Sequence, residues 1–399
     1  MISRSHSQSE GIPDEKEQVK APGRPVRILI AMSDTGGGHR ALSQAIAGAI
    51  ARRYRDQAVV RIEDIFALPP QTLPERVTRL YGPVIRVAPW LYGRLYHSLN
   101  HRRRYEAFAR LAARRMRQKI SRLIETARPD IIVSTHPLAN RPILDAIAAD
   151  GRPIPVVAVV SELVSVHVSW VDPRLDLLNT ATTETYQAVI RCGADPRRVR
   201  CVGLPVDERF GRVVLAPEEL RMTMGLHPER FTALVIGGGE GAGGLARIVE
   251  TIEAARLPLQ LIVVCGRNER LRRRLEALPL QTPARIFGFV TLIPELMHAA
   301  DVILTKGGPQ TIAEALVSGR PVILTQTLPG QEEGNGTFVE SRGVGFAPGP
   351  PRRVVENLAR LVFDPSLRWW MTVNAQRVGR PEAAGQVARM IMDLARSQW

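Results

Sequence analysis

The chain has 399 residues, 45% of them hydrophobic and 23% charged, which suits two domains with a core each and excludes a wholly disordered chain. Its formal charge is +15, most of the excess lies in residues 1–200, and no nucleic-acid-binding motif accompanies it, so an anionic membrane surface is the candidate partner and nucleic acid is not. Cys192, Cys201 and Cys265 are spaced for neither a disulfide framework nor a zinc site, and they point to a reducing cytoplasm.

Residues 1–24 are polar and rich in Ser, Glu and Lys, without an apolar h-region, and read as a disordered leader rather than a signal peptide. No stretch of eighteen apolar residues follows, so no membrane span is expected. Val26–Met32 reads as a buried strand, Ser33–Arg40 as a glycine turn, Ala41–Tyr54 as a helix and Ala58–Ile62 as a second strand. That is the opening of a doubly wound sheet. Gly36, Gly38 and Ala41, with Glu63 ending the second strand, also satisfy a loose dinucleotide fingerprint, which keeps an NAD(P)-dependent Rossmann oxidoreductase open as an alternative. His39 falls in the turn or the first helical turn, where a neutral imidazole is suited to remove a proton at neutral pH. Asp34 either orients that imidazole or caps the helix, and capping is the favoured job.

Residues 66–100 break the sheet pattern with prolines and interleave Tyr81, Trp90, Tyr92 and Tyr96 with Arg79, Arg86 and Arg94, a composition suited to the headgroup level of a bilayer. His101–Glu125 predicts a basic amphipathic helix whose arginines face solvent. Strands follow at Asp130–Ser134, Ile154–Val160 and Asn179–Thr183, the last leading into a helix that ends at Cys192. His136, before a proline, reads as a structural histidine.

A second sheet begins at Thr232–Ile236, and Gly237, Gly238 and Gly239 can bring backbone N–H groups against a diphosphate. Leu259–Cys265 and Arg285–Phe289 read as further strands. Val302–Leu304 then ends in Lys306-Gly307-Gly308-Pro309, with a helix starting around Thr311, a strand-turn-helix whose free N–H groups and dipole favour phosphate. Glu314 lies one turn beyond Thr311, placed for two ribose hydroxyls. Pro321–Thr325 predicts another strand, and the loop Gln331-Glu332-Glu333-Gly334-Asn335 offers amides and carboxylates for sugar hydroxyls. No D-x-D occurs, so no metal is expected to bridge a diphosphate.

Taken together, the segments SDTGGGHRA, GLPV, CGRN, TKGGP, TIAEA and PGQEEGN resemble family 28 glycosyltransferases, and most closely the diacylglycerol glycosyltransferases that make monogalactosyl- or monoglucosyl-diacylglycerol. The resemblance implies an α/β chain of two Rossmann-like domains facing a cleft, the B-type glycosyltransferase fold. It implies an inverting transfer of galactose or glucose from UDP-galactose or UDP-glucose to diacylglycerol. It implies a reaction with no tightly bound cofactor and no required metal. A peptidoglycan-type transferase with a polyprenyl diphosphate acceptor stays as a second alternative.

By that resemblance His39 is the base. Gly307, Gly308, Thr311 and Lys306 meet the diphosphate, Phe289 the uracil, Glu314 the ribose, and Gln331, Glu332 and Asn335 the sugar. Gly36, Gly37, Gly38, Glu162, His167 and Trp90 fall on the acceptor side; SELVSVHVSW retains His167 and Trp170 but has Glu162 where the family has Asp. The expected divisions are a leader at 1–24, an acceptor and membrane-facing domain at 25–204, a linker at 205–217, a UDP-sugar-binding domain at 218–380, and a C-terminal helix at 381–399 that packs back on the first domain. The expected place is peripheral, on the cytoplasmic face of the cell membrane.

Overall fold

The computed structural model describes residues 24–34, 37–67, 89–212, 215–239, 241 and 244–397, with the side chains of 89, 108 and 111–115 left out. In the first half, β1 (Val26–Met32), α1 (Gly38–Tyr54), β2 (Ala58–Asp64), α2 (Pro89–Leu99), α3 (Arg102–Ala127), β3 (Ile131–Ser134), α4 (Pro137–Asp150), β4 (Val156–Val159), β5 (Leu177–Thr180), α5 (Thr183–Arg191) and β6 (Val199–Cys201) follow in order. The strands form one parallel sheet of order β2-β1-β3-β4-β5-β6. In the second half come α6 (Pro217–Thr223), β7 (Thr232–Ile236), α7 (Leu245–Ala255), β8 (Gln260–Val264), α8 (Glu269–Glu276), β9 (Ala284–Phe287), α9 (Ile293–Ala299), β10 (Val302–Thr305), α10 (Pro309–Val317), β11 (Val322–Leu324), α11 (Asn335–Ser341), β12 (Gly345–Phe346), α12 (Pro351–Phe363), α13 (Pro365–Val378) and α14 (Ala383–Arg396). Their sheet has the order β12-β11-β10-β7-β8-β9, which is the Rossmann order; the first sheet has the related order of the other common doubly wound fold.

Helices cover both faces of each sheet, so the inner strands are apolar runs rather than alternating ones. β7 and β8 are buried at every position, and β1 at every position but Arg27. β2 and β9, on the edges, are only partly buried. Each fully buried Ile or Val in β1, β3, β7 and β10 stabilises the fold by roughly 1.5–3 kcal/mol, and truncating Ile30 to Ala would cost roughly 2–5 kcal/mol.

One core runs through both halves, joining Ile46 and Ile50 of α1 to Ile312 of α10 and to Val387 and Ile391 of α14. The last helix therefore lies on α1, where Arg53 pairs with Glu382 and Arg396 reaches Gln57.

In each sheet the chain reverses its direction of winding at one point. The reversal falls between β1 and β3 in the first sheet and between β7 and β10 in the second. Open α/β sheets hold ligands outside the carboxyl ends of the strands at such points.

Two elements were not anticipated from the sequence. The region before residue 100 holds a helix, α2, that prolines and aromatics did not suggest, and β12 is too short to leave a period in the sequence. Residues 1–23 of the leader, Gly36 and residues 68–88 of the aromatic segment lie outside the described residues.

Candidate active site

Two glycine turns line the second half's side of the crevice. After β7, Gly238 adopts φ +69°, and the turn is tied to the one after β8 by Arg267 N–H donating to Gly239 O at 2.8 Å. Gly266, at φ +58°, faces the Gly238 and Gly239 carbonyls so closely that a Cβ would stand 2.4 Å from Gly239 O. After β10, Gly307 N–H donates to Gln326 O at 2.6 Å, and a Cβ on Gly307 would stand 2.6 Å from Thr327 Cγ2. α10 then starts with Gly308 as N-cap and Pro309 in its first turn, without a side-chain cap, so its leading N–H groups and dipole point outward as an anion site. Lys306 lies between the turns: its Cε would be 3.7 Å from a Cβ on Gly238 and 3.6 Å from one on Gly308.

Behind this turn Thr311 and Glu314 share one face of α10. Burial pushes the Glu314 carboxyl up to about 8, against a 3.3 Å hydrogen bond from Gln310 Nε2. Phe289, 59% exposed beyond β9, has the Arg267 guanidinium 5.0 Å from its ring centroid.

Across the crevice, His39 sits in the first turn of α1, and a Cβ on neighbouring Gly38 would stand 3.8 Å from Gln310 Cβ. The two winding-reversal points thus face each other. His39 Nδ1 donates to the Thr135 carbonyl oxygen at 2.7 Å. A carbonyl oxygen only accepts, so the proton sits on Nδ1 and the Nε2 lone pair is left for chemistry. Ser43 Oγ holds Thr135 Oγ1 at 2.9 Å, and the His136 ring meets His39 edge-on at 4.7 Å. Burial lowers the His39 pKa to about 4, so the ring stays neutral through the physiological range.

A third set of contacts joins the halves beside this crevice. Gly93 of α2 lets Pro329 approach, and Gly330 lies on the Tyr96 ring. Tyr92 Oη donates to Gln331 Oε1 at 3.1 Å, Gln331 Nε2 donates to Glu162 Oε1 at 3.4 Å, and His97 pairs with Glu333 at 3.1 Å. Gly334 is pressed against Val164.

Several expected roles change. Asp34 neither caps α1 nor orients His39: its carboxylate forks onto Arg40 at 2.8 and 2.9 Å, and the N-cap position belongs to Gly37 at φ +83°. Asn335 is buried at the start of α11, with Nδ2 donating to the Gly307 carbonyl at 2.6 Å, so it braces the turn after β10. Glu332 closes its own loop by accepting from Leu328 N–H at 2.8 Å, and its Oε1 is turned towards Gly308. His167 is a structural group: its Nδ1 takes Ser169, and the rings of Tyr96 and Tyr105 pack on it edge-on. Glu162 is buried at the end of β4 on the crevice side, and burial pushes its carboxyl up to about 7. Trp90 stands out from α2, 60% exposed.

Thr135 and Gln310 were given no role from the sequence, and Tyr92 and Tyr96, read there as headgroup-level aromatics, instead meet Gln331 and Gly330 on the seam between the halves. The aromatic composition of residues 66–100 was the one signal for the tyrosines. Among the described residues no group of three His, Cys, Asp or Glu is placed to hold a metal ion, and no helix is long and apolar enough to cross a membrane.

Residues 39–206 match the family model for monogalactosyldiacylglycerol (MGDG) synthase, and residues 232–334 match that for the glycosyltransferase family 28 C-terminal domain. The chain is 30% identical over 388 residues to the chloroplastic monogalactosyldiacylglycerol synthase of Spinacia oleracea, a match covering 94% of this chain and 74% of that one. In fold it is similar to the glycosyltransferase SnogD of Streptomyces nogalater, with a TM-score of 0.58 and 18% identity over 93% of this chain and 100% of that one. Anabaena Alr3699/HepE in complex with UDP-glucose gives a TM-score of 0.57 and 18% identity over 92% of this chain and 99% of that one. The fold is the B-type glycosyltransferase fold.

The chloroplastic relative overturns the expected place on the cytoplasmic face of the cell membrane. That expectation drew on unpaired thiols and a missing export signal, and neither separates the cytoplasm from the interior of an organelle.

Proposed function

The chain belongs to the monogalactosyldiacylglycerol synthase family, and from that premise we infer that it transfers a hexose from a UDP-sugar to the free hydroxyl of 1,2-diacylglycerol. Galactose is the first choice, because the spinach relative is named for it.

The observation that carries the chemistry is the His39–Thr135 hydrogen bond, which leaves the Nε2 lone pair free to accept a proton. The glyceride hydroxyl gives its proton to Nε2 as its oxygen attacks the anomeric carbon from the face opposite UDP. The bond between that carbon and the β-phosphate oxygen breaks, and the configuration inverts. Charge gathering on the departing UDP is met by Lys306, the Gly237–Gly239 turn and the N-terminus of α10. Glu314 takes the ribose, Phe289 and its strand end the uracil, and Gln331 the hexose.

The outer face of α2 supplies the lipid side. Trp90, Leu91 and Leu95 stand exposed there beside Arg94, an aromatic, apolar and cationic mix suited to an anionic membrane surface. The nicotinamide reading loses its acidic anchor, since Glu63 is paired with Arg61 at 2.6 Å. The family membership sets the polyprenyl diphosphate acceptor aside.

The test is a turnover assay with UDP-galactose or UDP-glucose and diacylglycerol in anionic vesicles. The reading requires a monohexosyl lipid and one UDP per transfer. Absence of a lipid-soluble sugar with both donors would overturn it.

A further inference from the structure

Gln331 is held from across the crevice. Its oxygen accepts from Tyr92 of α2, and its nitrogen donates to Glu162 at the end of β4, so both ends of one amide in the second half are set by groups of the first. The backbone enforces the arrangement. Gly93 and Gly330 are the positions where α2 and the loop touch, and a Cβ at either would stand 2.7 and 2.6 Å from Pro329 Cβ and from the Tyr96 ring. The His97–Glu333 pair closes the same seam.

Glu162 is itself deeply buried. Ser161 and Trp170 lie close enough to favour its ionised form, yet neither Ser161 Oγ nor Trp170 Nε1 completes a hydrogen bond of good geometry, and Glu162 Oε2 and Tyr96 Oη are also buried without one. An amide reads a sugar by which end presents oxygen and which presents nitrogen. Free in solvent, it rotates between the two presentations. With a hydroxyl donor at its oxygen and an acceptor at its nitrogen, one presentation is selected.

We propose that Tyr92 and Glu162 are positioning residues that fix the orientation of the Gln331 amide, so that the choice of hexose in the second half is imposed by side chains of the first. This rests on the reading above that Gln331 faces the donor's hexose. It assigns Tyr92 and Glu162 no contact with the reacting atoms.

The experiment is calorimetry of UDP, UDP-galactose and UDP-glucose on the full chain without acceptor, on the wild type, Tyr92→Phe, Glu162→Leu, Glu162→Gln and each in a Gln331→Ala background. UDP affinity reports whether a variant is folded. Tyr92→Phe and Glu162→Leu are expected to reduce the ratio of the two UDP-hexose affinities by about threefold to tenfold, the worth of an oriented hydrogen bond, with UDP affinity held within about twofold. Glu162→Gln keeps an accepting oxygen and is expected to rescue the ratio. In the Gln331→Ala background neither change has a further effect on the ratio.

An unchanged ratio in both Tyr92→Phe and Glu162→Leu, or the same loss with Gln331 absent, overturns the proposal. A protein that discriminates the donors as described but never glycosylates diacylglycerol would overturn the acceptor assignment and leave the positioning role standing.

Discussion

His39 Nδ1 meets the carbonyl oxygen of Thr135 at 2.7 Å, tying the helix after β1 to the end of β3 at the point where the first sheet reverses. One backbone acceptor thereby fixes both the tautomer and the direction of the imidazole.

If Nε2 takes the acceptor's proton, His39→Ala should lower turnover by about 10²–10⁴-fold while UDP affinity stays within about twofold of wild type. Turnover assay beside UDP calorimetry reads both. Undiminished turnover would remove His39 from the chemistry.

The pH profile carries a separate signature. Burial lowers the His39 pKa, and the base form is the neutral one, so activity persists to lower pH than an ordinary histidine would allow. The acid limb of kcat/KM is expected near about 4, provided the fold survives there; a limb at the unperturbed value of about 6.5 would mean that the ring is solvated.

Buried carboxyls set the opposite trend in stability. Glu162 and Glu314 have folded-state pKa values raised by burial to about 7 and about 8, so between about 4.5 and those values the native state binds more protons than the unfolded one. Stability from these groups is complete below about 4.5 and is lost as pH rises through 7 and 8. Thermal unfolding should show Glu162→Gln level with wild type at pH 5 and more stable at pH 8.5, by on the order of 3 kcal/mol. A variant less stable at both pH values would contradict this.

Asn335 braces the turn after β10 through the Gly307 carbonyl. Asn335→Leu leaves that buried acceptor unmet, which costs about 1–3 kcal/mol and loosens the turn proposed to cup the diphosphate. A lower Tm together with weaker UDP binding is the expected pair of results; a normal UDP affinity would mean that the turn holds without it.

On the outer face of α2, Trp90→Glu with Leu95→Glu should weaken sedimentation with anionic vesicles and raise the apparent KM for vesicle-borne diacylglycerol, while UDP affinity is unchanged. Equal vesicle binding would place the lipid contact elsewhere.

Much of the second half's strand-turn-helix was legible because its signals are local. A strand followed by Lys306-Gly307-Gly308-Pro309 and a helix of good formers can be read from adjacent residues, and the structure keeps the helix start within two positions of the expected Thr311. The contact that defines His39 was not legible, because Thr135 is brought to it by the parallel pairing of β1 with β3 across nearly a hundred residues. Asp34 misled for a similar reason: its sequence neighbourhood suits a cap, but Arg40, in the first turn of α1, offers two donors at once. Asn335 was read with the loop before it, and only packing reveals that its Nδ2 reaches Gly307. α2 hid among prolines and aromatics, although its inner tyrosines and outer Trp90 and Leu95 divide between two faces once the helix is drawn.

The central claim is that a nucleotide sugar lies in the crevice between the sheets, with its phosphates held by the second half. A crystal structure of the chain with UDP tests it most directly. The account predicts the diphosphate at the N-terminus of α10 beside Lys306, the ribose on Glu314 and the uracil beside Phe289; UDP bound at the Gly36–Gly38 turn alone, or outside the crevice, would contradict it.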